Sequence, residues 1–482
     1  MKPLAVIMAA SLAWLAGCAV GPDYQPPKPN TAPQWSSSLT GGETNGPADL
    51  AAWWKNFSDT NLDSLMMVAV QSNLTLLVAE AHVRESRAER DVAAGSLWPS
   101  LGSSASYSRN RLGPPGFPPF AGLPANYGYY QAGFDAAWEL DVFGGNRRTV
   151  EAANAEIGAA EYERRGVLVS LLAEVARNYI ETRGYQQRLA ITRDNIAVQE
   201  DILDLTTNRF EHGLGGDLEV QQAMGLLAAT RAEVPTLETG SDQSVHHLAV
   251  LLGQPPGALM AEMSVQKPIP LTPPEVPVGL PSDLLQRRPD IQRAERELAA
   301  ATARIGVAKA DLFPKFSLTG FGGLESLSAD HWFDYASRYW SAGPTVQWEI
   351  FEAGSIRANV RVQNARQEQA LDSYQQTVLG ALEDAENALT AYAREQVRRE
   401  SLVQSVRANE QALEISTQLY KSGLTDFLQV LDSERALYES QDALVQSDQT
   451  VSLDLVQLYK ALGGGWAEPA LLSSAAPAEA RR

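Results

Sequence analysis

Two stretches of the chain repeat an apolar residue at every third or fourth position, Thr149 to about Glu211 and Arg357 to about Lys421. Val167, Leu168, Leu171, Leu172, Val175, Tyr179 and Ile180 illustrate the spacing. It predicts long helices that bury one stripe against neighbours and leave the rest wet. Each covers roughly 64 residues, on the order of 95 Å at 1.5 Å per residue. Gly213 and Gly423 end them, as left-handed residues just past a helix terminus. Asp217 and Asp426 follow and are expected to be N-caps of second helices running to Leu252 and Leu462, in preference to gate residues. Shorter helical stretches are expected upstream, over 61–97 and 282–312, with Leu62, Leu65, Ala69 and Val70 in register and Ser282 as an N-cap. Helices alone also fit a soluble coiled-coil rod.

Between the short and long helices the period changes from 3.6 to 2. Phe134, Ala136 and Trp138 alternate with Gln131, Gly133, Asp135 and Ala137. Trp340, Ala342, Pro344, Val346, Trp348 and Ile350 alternate with Ser341, Gly343, Thr345, Gln347 and Glu349. Phe316, Leu318, Gly320, Gly322 and Leu324 do the same, with Phe321 on the polar side. Strands are expected at about 100–111, 127–141, 315–324 and 339–350, the first being mostly small and polar. Such alternation with aromatics near the ends suits transmembrane barrel strands, and equally a half-buried periplasmic sheet. The loops Leu112 to Asn126 and Glu325 to Arg338 would then face outward. No stretch after residue 18 is apolar enough for a membrane helix, so any crossing must use strands. Four strands do not close a barrel, which starts at about eight. Oligomers supply the rest: three chains give twelve strands, and two or four also satisfy the count.

The pattern occurs twice. Phe210-Glu211-His212-Gly213-Leu214 recurs as Tyr420-Lys421-Ser422-Gly423-Leu424, an offset of 210 residues. The same offset pairs Trp138 with Trp348, Arg147 with Arg357, Leu218 with Leu428 and Val220 with Val430. Upstream the offset is 215, pairing Leu97-Trp98-Pro99 with Leu312-Phe313-Pro314. The difference falls in the strand–loop segment, where length changes are tolerated. An internally duplicated chain is expected, with halves 51–262 and 263–463.

The ends and the composition add location. Lys2, an apolar run from Leu4 to Leu15, and Leu15-Ala16-Gly17-Cys18 form a lipoprotein signal. Residues 1–17 are expected to be removed and Cys18 to carry a covalent lipid anchor. Cys18 is the sole cysteine, which excludes a disulfide framework and a cysteine zinc site. Ala19 at the next position favours sorting to the outer membrane. Residues 18–50, rich in Pro, Gly, Ser and Thr, read as a tether, and 464–482 as a flexible tail. The net charge of −19 argues against nucleic acid as a partner.

No catalytic constellation emerges. His246 and His247 are adjacent and point apart on a helix, Met66-Met67 is an isolated pair, and Gly463-Gly464-Gly465 lacks the Lys and Ser/Thr of a phosphate loop. An enzyme, a metal site and a bound cofactor are therefore not expected.

At this point the residues resemble the TolC-like outer-membrane efflux proteins, in the lipoprotein branch that works with resistance-nodulation-division pumps. The resemblance rests on Cys18-Ala19-Val20-Gly21-Pro22-Asp23-Tyr24, on Trp53-Trp54, Phe57, Asp59, Leu62 and Leu65, and on Arg287-Arg288-Pro289-Asp290-Ile291 with Ala294 and Glu295. It rests as well on Tyr420, Gly423, Leu428, Val430, Leu431 and Asp432, and it covers nearly all of residues 18–463. It implies a homotrimer: a twelve-stranded β-barrel in the outer membrane on a long α-helical coiled-coil barrel in the periplasm. It implies a periplasmic adaptor, an inner-membrane pump and outer-membrane lipid as partners, and export of drugs or other small toxic compounds. A duct of the same fold serving one-step (type I) protein secretion is the alternative. Carried over by position, Leu428 forms a constriction at the periplasmic gate, Asp432 an acidic ring, and Tyr420 part of the tip network. By position alone Leu428 also fits a packing leucine and Asp432 a solvated acid. Thr425 and Gln429 stand where some members carry Arg and Asp, so a salt-bridge lock there is not expected.

Overall fold

A computed structural model describes residues 19–29, 32–37, 42–44, 46, 50–111, 126–270, 272–273 and 275–466. The signal peptide, Cys18, most of the first loop and the tail from residue 467 lie outside these. The labelled helices are α1 (Thr60–Ser72), α2 (Leu74–Gly95), α3 (Gly145–Glu211), α4 (Asp217–Leu251), α5 (Pro289–Ala310), α6 (Ser355–Lys421) and α7 (Phe427–Ala461). The strands are β1 (Ser100–Arg111), β2 (Asn126–Leu140), β3 (Lys315–Ser326) and β4 (Arg338–Gln347). No single helix among the described residues is long and apolar enough to cross a membrane.

Corresponding elements have the same lengths. Helices α3 and α6 are both 67 residues, at an offset of 210. Helices α4 and α7 are both 35 residues at that offset. At 215, α2 and α5 are both 22 residues and β1 and β3 both 12.

The chain forms two compact units that cut across the sequence halves. One gathers the described parts of Met1–Lys28, His82–Ala160 and Arg293–Gln375. Its centre is an antiparallel sheet in the order β1-β2-β3-β4. Register pairs such as Gly102↔Asp135, Asp135↔Phe321 and Phe321↔Ser341 place the polar sets of all four strands on one face. Phe134, Trp138, Leu318, Trp340 and Val346, on the other face, are exposed. Each strand pair is braced to the preceding helix end in the same way. Trp138 Nε1 donates to Leu97 O at 3.0 Å and Trp348 Nε1 to Leu312 O at 3.2 Å. Strand β4 ends at Gln347, earlier than the expected 350, and Trp348 makes its bond from just beyond the strand.

The residues after Cys18 are fastened to the same unit. Val20 N donates to Phe143 O at 3.0 Å, just beyond β2. Arg148, buried, donates to Asp23 Oδ1 at 2.7 Å, and Tyr24 Oη donates to Glu295 Oε1 at 2.8 Å. This part of the expected tether is a docked strap.

The second unit gathers the described parts of Pro29–Ala81, Glu161–Gln292 and Gln376–Arg482. Its core packs Trp53, Trp54 and Phe57 with Tyr459, whose ring stacks on Trp53 at 5.2 Å. Asp59 caps α1 by accepting from Asn61 N and Leu62 N, and also accepts from Tyr179 Oη at 2.7 Å. Two helical expectations are corrected here. The stretch 61–97 is broken at Asn73, whose Oδ1 accepts from Leu76 N and whose Nδ2 donates to Leu251 O, starting a new helix at a bend of 41°. Ser282 is not an N-cap: it lies inside a short 3₁₀ turn, Pro281–Asp283. The true helix α5 starts at Pro289, because a residue before proline, here Arg288 at ψ 120°, is held extended. Arg288 then closes the motif, binding both Asp290 oxygens (3.1 and 2.6 Å) and donating to Ala461 O at the end of α7.

Candidate functional site

The α3–α4 and α6–α7 turns are built alike. Gly213 and Gly423 have φ of +67° and +72°. Gly213 N donates to Phe210 O and Leu214 N to Arg209 O; Gly423 N donates to Tyr420 O and Leu424 N to Leu419 O. This paired pattern satisfies the last carbonyls of each long helix and requires a left-handed residue. A Cβ on either glycine would meet nothing within 4 Å, so the requirement is one of backbone conformation alone.

The helices that leave the turns start differently. Asp426 caps α7, accepting from Gln429 N at 3.4 Å. Asp217 does not cap α4, which corrects the expectation from sequence. The cap is Gly216, and Asp217 is the first helical residue, accepting from Gln221 Nε2 at 3.3 Å. In that place its charge still favours the positive end of the helix.

Tyr420 joins the four helices. Its ring is buried with Ala223, Phe427, Val430 and Leu431. Its hydroxyl donates to Glu219 Oε2 on α4 at 2.9 Å, and the Arg209 guanidinium of α3 lies 4.6 Å from the ring centroid. Phe427 of α7 lies 5.6 Å away, centroid to centroid. Burial, and then donation to a carboxylate, push the Tyr420 hydroxyl up to about 12, so it stays a donor at any physiological pH.

Leu428 and Asp432 stand one turn apart on α7, on the side opposite Val430. Leu428 is 48% exposed and Asp432 exposed. Of the three positions carried over as a gate, Leu428 and Asp432 therefore share one open face, and Tyr420 is apart from them in the packed interior.

Glu219, Arg209 and Glu434 were not singled out from sequence. Glu434 is only 1% exposed, and neither carboxylate oxygen has a hydrogen-bond partner. Burial pushes its carboxyl up to about 7, and the neighbouring Gln199 side chain opposes that only partly. The sequence held one signal for it: at the offset of 210 the matching residue is Met224, so an acid stands where the other half has an apolar side chain.

The sequence model of the outer membrane efflux protein family matches residues 65–254 and again 280–464. The pyoverdine export outer membrane protein OpmQ of Pseudomonas aeruginosa is 34% identical over 472 residues, covering 97% of this chain and 97% of that protein. Nodulation protein T of Rhizobium leguminosarum bv. viciae is 32% identical over 464 residues, covering 95% of this chain and 93% of its own. Among solved structures, the outer-membrane channel OprN matches with a TM-score of 0.87 at 38% identity, covering 93% of this chain and 100% of that one. With this fold, these turns and these relatives, the chain belongs to the outer membrane efflux protein family and is a TolC-like channel of the outer membrane.

Proposed function

We propose that the chain is the outer-membrane duct of a tripartite efflux system and works as a homotrimer of internally duplicated subunits. The observation that carries this reading is the open sheet. Among the described residues β1 pairs only with β2, and β4 only with β3, so both outer strands have an unpaired edge. An open edge in hydrocarbon leaves N–H and C=O groups unsatisfied, at several kcal/mol each. Pairing the β4 edge of one copy with the β1 edge of the next removes every edge, and three copies make a closed barrel of twelve strands. The polar face then lines water and the face bearing Phe134, Trp138, Leu318 and Trp340 meets lipid.

At the periplasmic gate, Leu428 narrows the passage as an apolar ring and Asp432 forms an acidic ring one turn further along α7. Tyr420 holds the helices in the closed arrangement through Glu219, Arg209 and Phe427. Opening separates helices around the turns at Gly213 and Gly423, while Asp217 and Asp426 stabilise the helix starts. The lipid on Cys18 is a second anchor, held beside the sheet because Val20 is bonded to Phe143. A periplasmic adaptor and an inner-membrane resistance-nodulation-division pump deliver small toxic compounds, and cargo choice rests largely with the pump.

The test has two parts. The purified protein should form trimers and conduct ions in planar bilayers. Deleting its gene should lower resistance to drugs or solvents. A water-soluble monomer without conductance would defeat the duct. Loss of a secreted protein, with resistance intact, would move the duct to protein secretion.

A further inference from the structure

The polar face of the sheet carries a feature that neither gating nor membrane insertion uses. Phe321 interrupts an otherwise polar set on β3, Lys315, Ser317, Thr319, Gly323 and Glu325. Its ring reaches over β2, where a Cβ added at Gly133 would meet Phe321 Cζ at 2.7 Å. On its other side it stacks on Tyr339 of β4, with centroids 4.7 Å apart and planes at 21°. Gln131 Nε2 donates to the Tyr339 hydroxyl and fixes that ring. The result is a two-ring shelf spanning three strands.

The surroundings of the shelf are acidic. Asp135 is the register partner of Phe321, exposed, and makes no hydrogen bond or ion pair among the described residues. Glu325 is the register partner of Gln131 and accepts from Tyr129 Oη at 2.7 Å. The one Lys or Arg on this face of the described strands is Lys315, six residues away along β3, on the order of 20 Å. It is already paired with Asp311 at 3.0 Å.

We propose that Phe321 and Tyr339, with Asp135 and Glu325 beside them, form a resting site for cations that carry an aromatic ring, on their way out. The site rests on the duct reading, which turns this face toward the lumen. Aromatic faces attract cations and stack with other rings, and nearby carboxylates add a field of the right sign. The contacts are weak individually, as a conduit requires if cargo is to leave again. In a trimer there would be three shelves.

Blocking of single channels by benzyltrimethylammonium, compared with the ring-free tetramethylammonium, tests this. In the wild type the aromatic cation should block at about fivefold lower concentration. Phe321→Leu keeps apolar bulk over Gly133 and loses the aromatic face, so the ratio should fall close to one with conductance unchanged. Equal block by both cations in the wild type would overturn the proposal. So would an unchanged ratio in Phe321→Leu, which would leave the rings as packing over the Gly133–Gly323 pair. A wild-type protein that forms no channel would instead remove the duct reading, and the site with it.

Discussion

Tyr420 and Glu219 come from different helices, α6 and α4, and meet in a hydrogen bond of 2.9 Å beside the turn that ends each long helix. The sequence offset of 210 gives this pair no counterpart in the other half, because Phe210 stands for Tyr420 and Gln429 for Glu219. The tie is therefore one-sided. Tyr420→Phe keeps the ring and its burial and removes only the donor. We expect a loss of about 1 kcal/mol, a net hydrogen bond, read as a lower melting temperature. We also expect more frequent channel opening in bilayers; unchanged open probability would take Tyr420 out of the gate.

Glu434 should make stability depend on pH. Burial raises its carboxyl from the usual 4.5 to about 7, so the folded protein keeps a proton that the unfolded chain releases. The folded state is therefore favoured at low pH and loses stability as pH rises from 4.5 to about 7, after which the cost is constant. Glu434→Gln imitates the protonated form at every pH. Variant and wild type should melt alike near pH 4, and the variant should be more stable at pH 8 by on the order of 3 kcal/mol. Parallel curves across that window would refute the titration.

Asp432→Ala should reduce cation selectivity and weaken block by polyvalent cations, since a ring of carboxylates in a narrow passage attracts both. Reversal potentials under a salt gradient measure the first and current block the second. If neither changes, Asp432 is a solvated surface acid.

Gly423→Ala should cost about 1 kcal/mol, from left-handed strain at φ +72° with no steric clash. Thermal unfolding checks this, and a neutral result would mean that the α6–α7 turn can adopt another conformation.

Cys18→Ser, behind a signal peptide that is still cleaved, should leave membrane-inserted trimers if the proposed barrel strands are the main anchor. Arg148→Ala should loosen the strap that follows Cys18, read as faster proteolysis before Tyr24, since Arg148 holds both Asp23 and Val20 O. Complete release of the Cys18→Ser protein into the soluble fraction would leave the lipid as the sole hold.

Much of this was legible in the chain itself. The change of period from 3.6 to 2 and the offsets of 210 and 215 located the strands and long helices to within a few residues, because each element follows from local backbone geometry and from which face is wet. Glycines at 213 and 423 marked the turns because few other residues adopt positive φ cheaply. The tertiary structure decided the rest. It made Gly216, and not Asp217, the cap of α4, and broke the first helix at Asn73 so that its side chain could reach Leu251. It joined Tyr420 to Glu219 and Arg209, buried Glu434 without a partner, and brought Phe321 onto Tyr339 across two strands. These relations link residues distant in sequence, and their energies come from burial and packing, which no local pattern encodes.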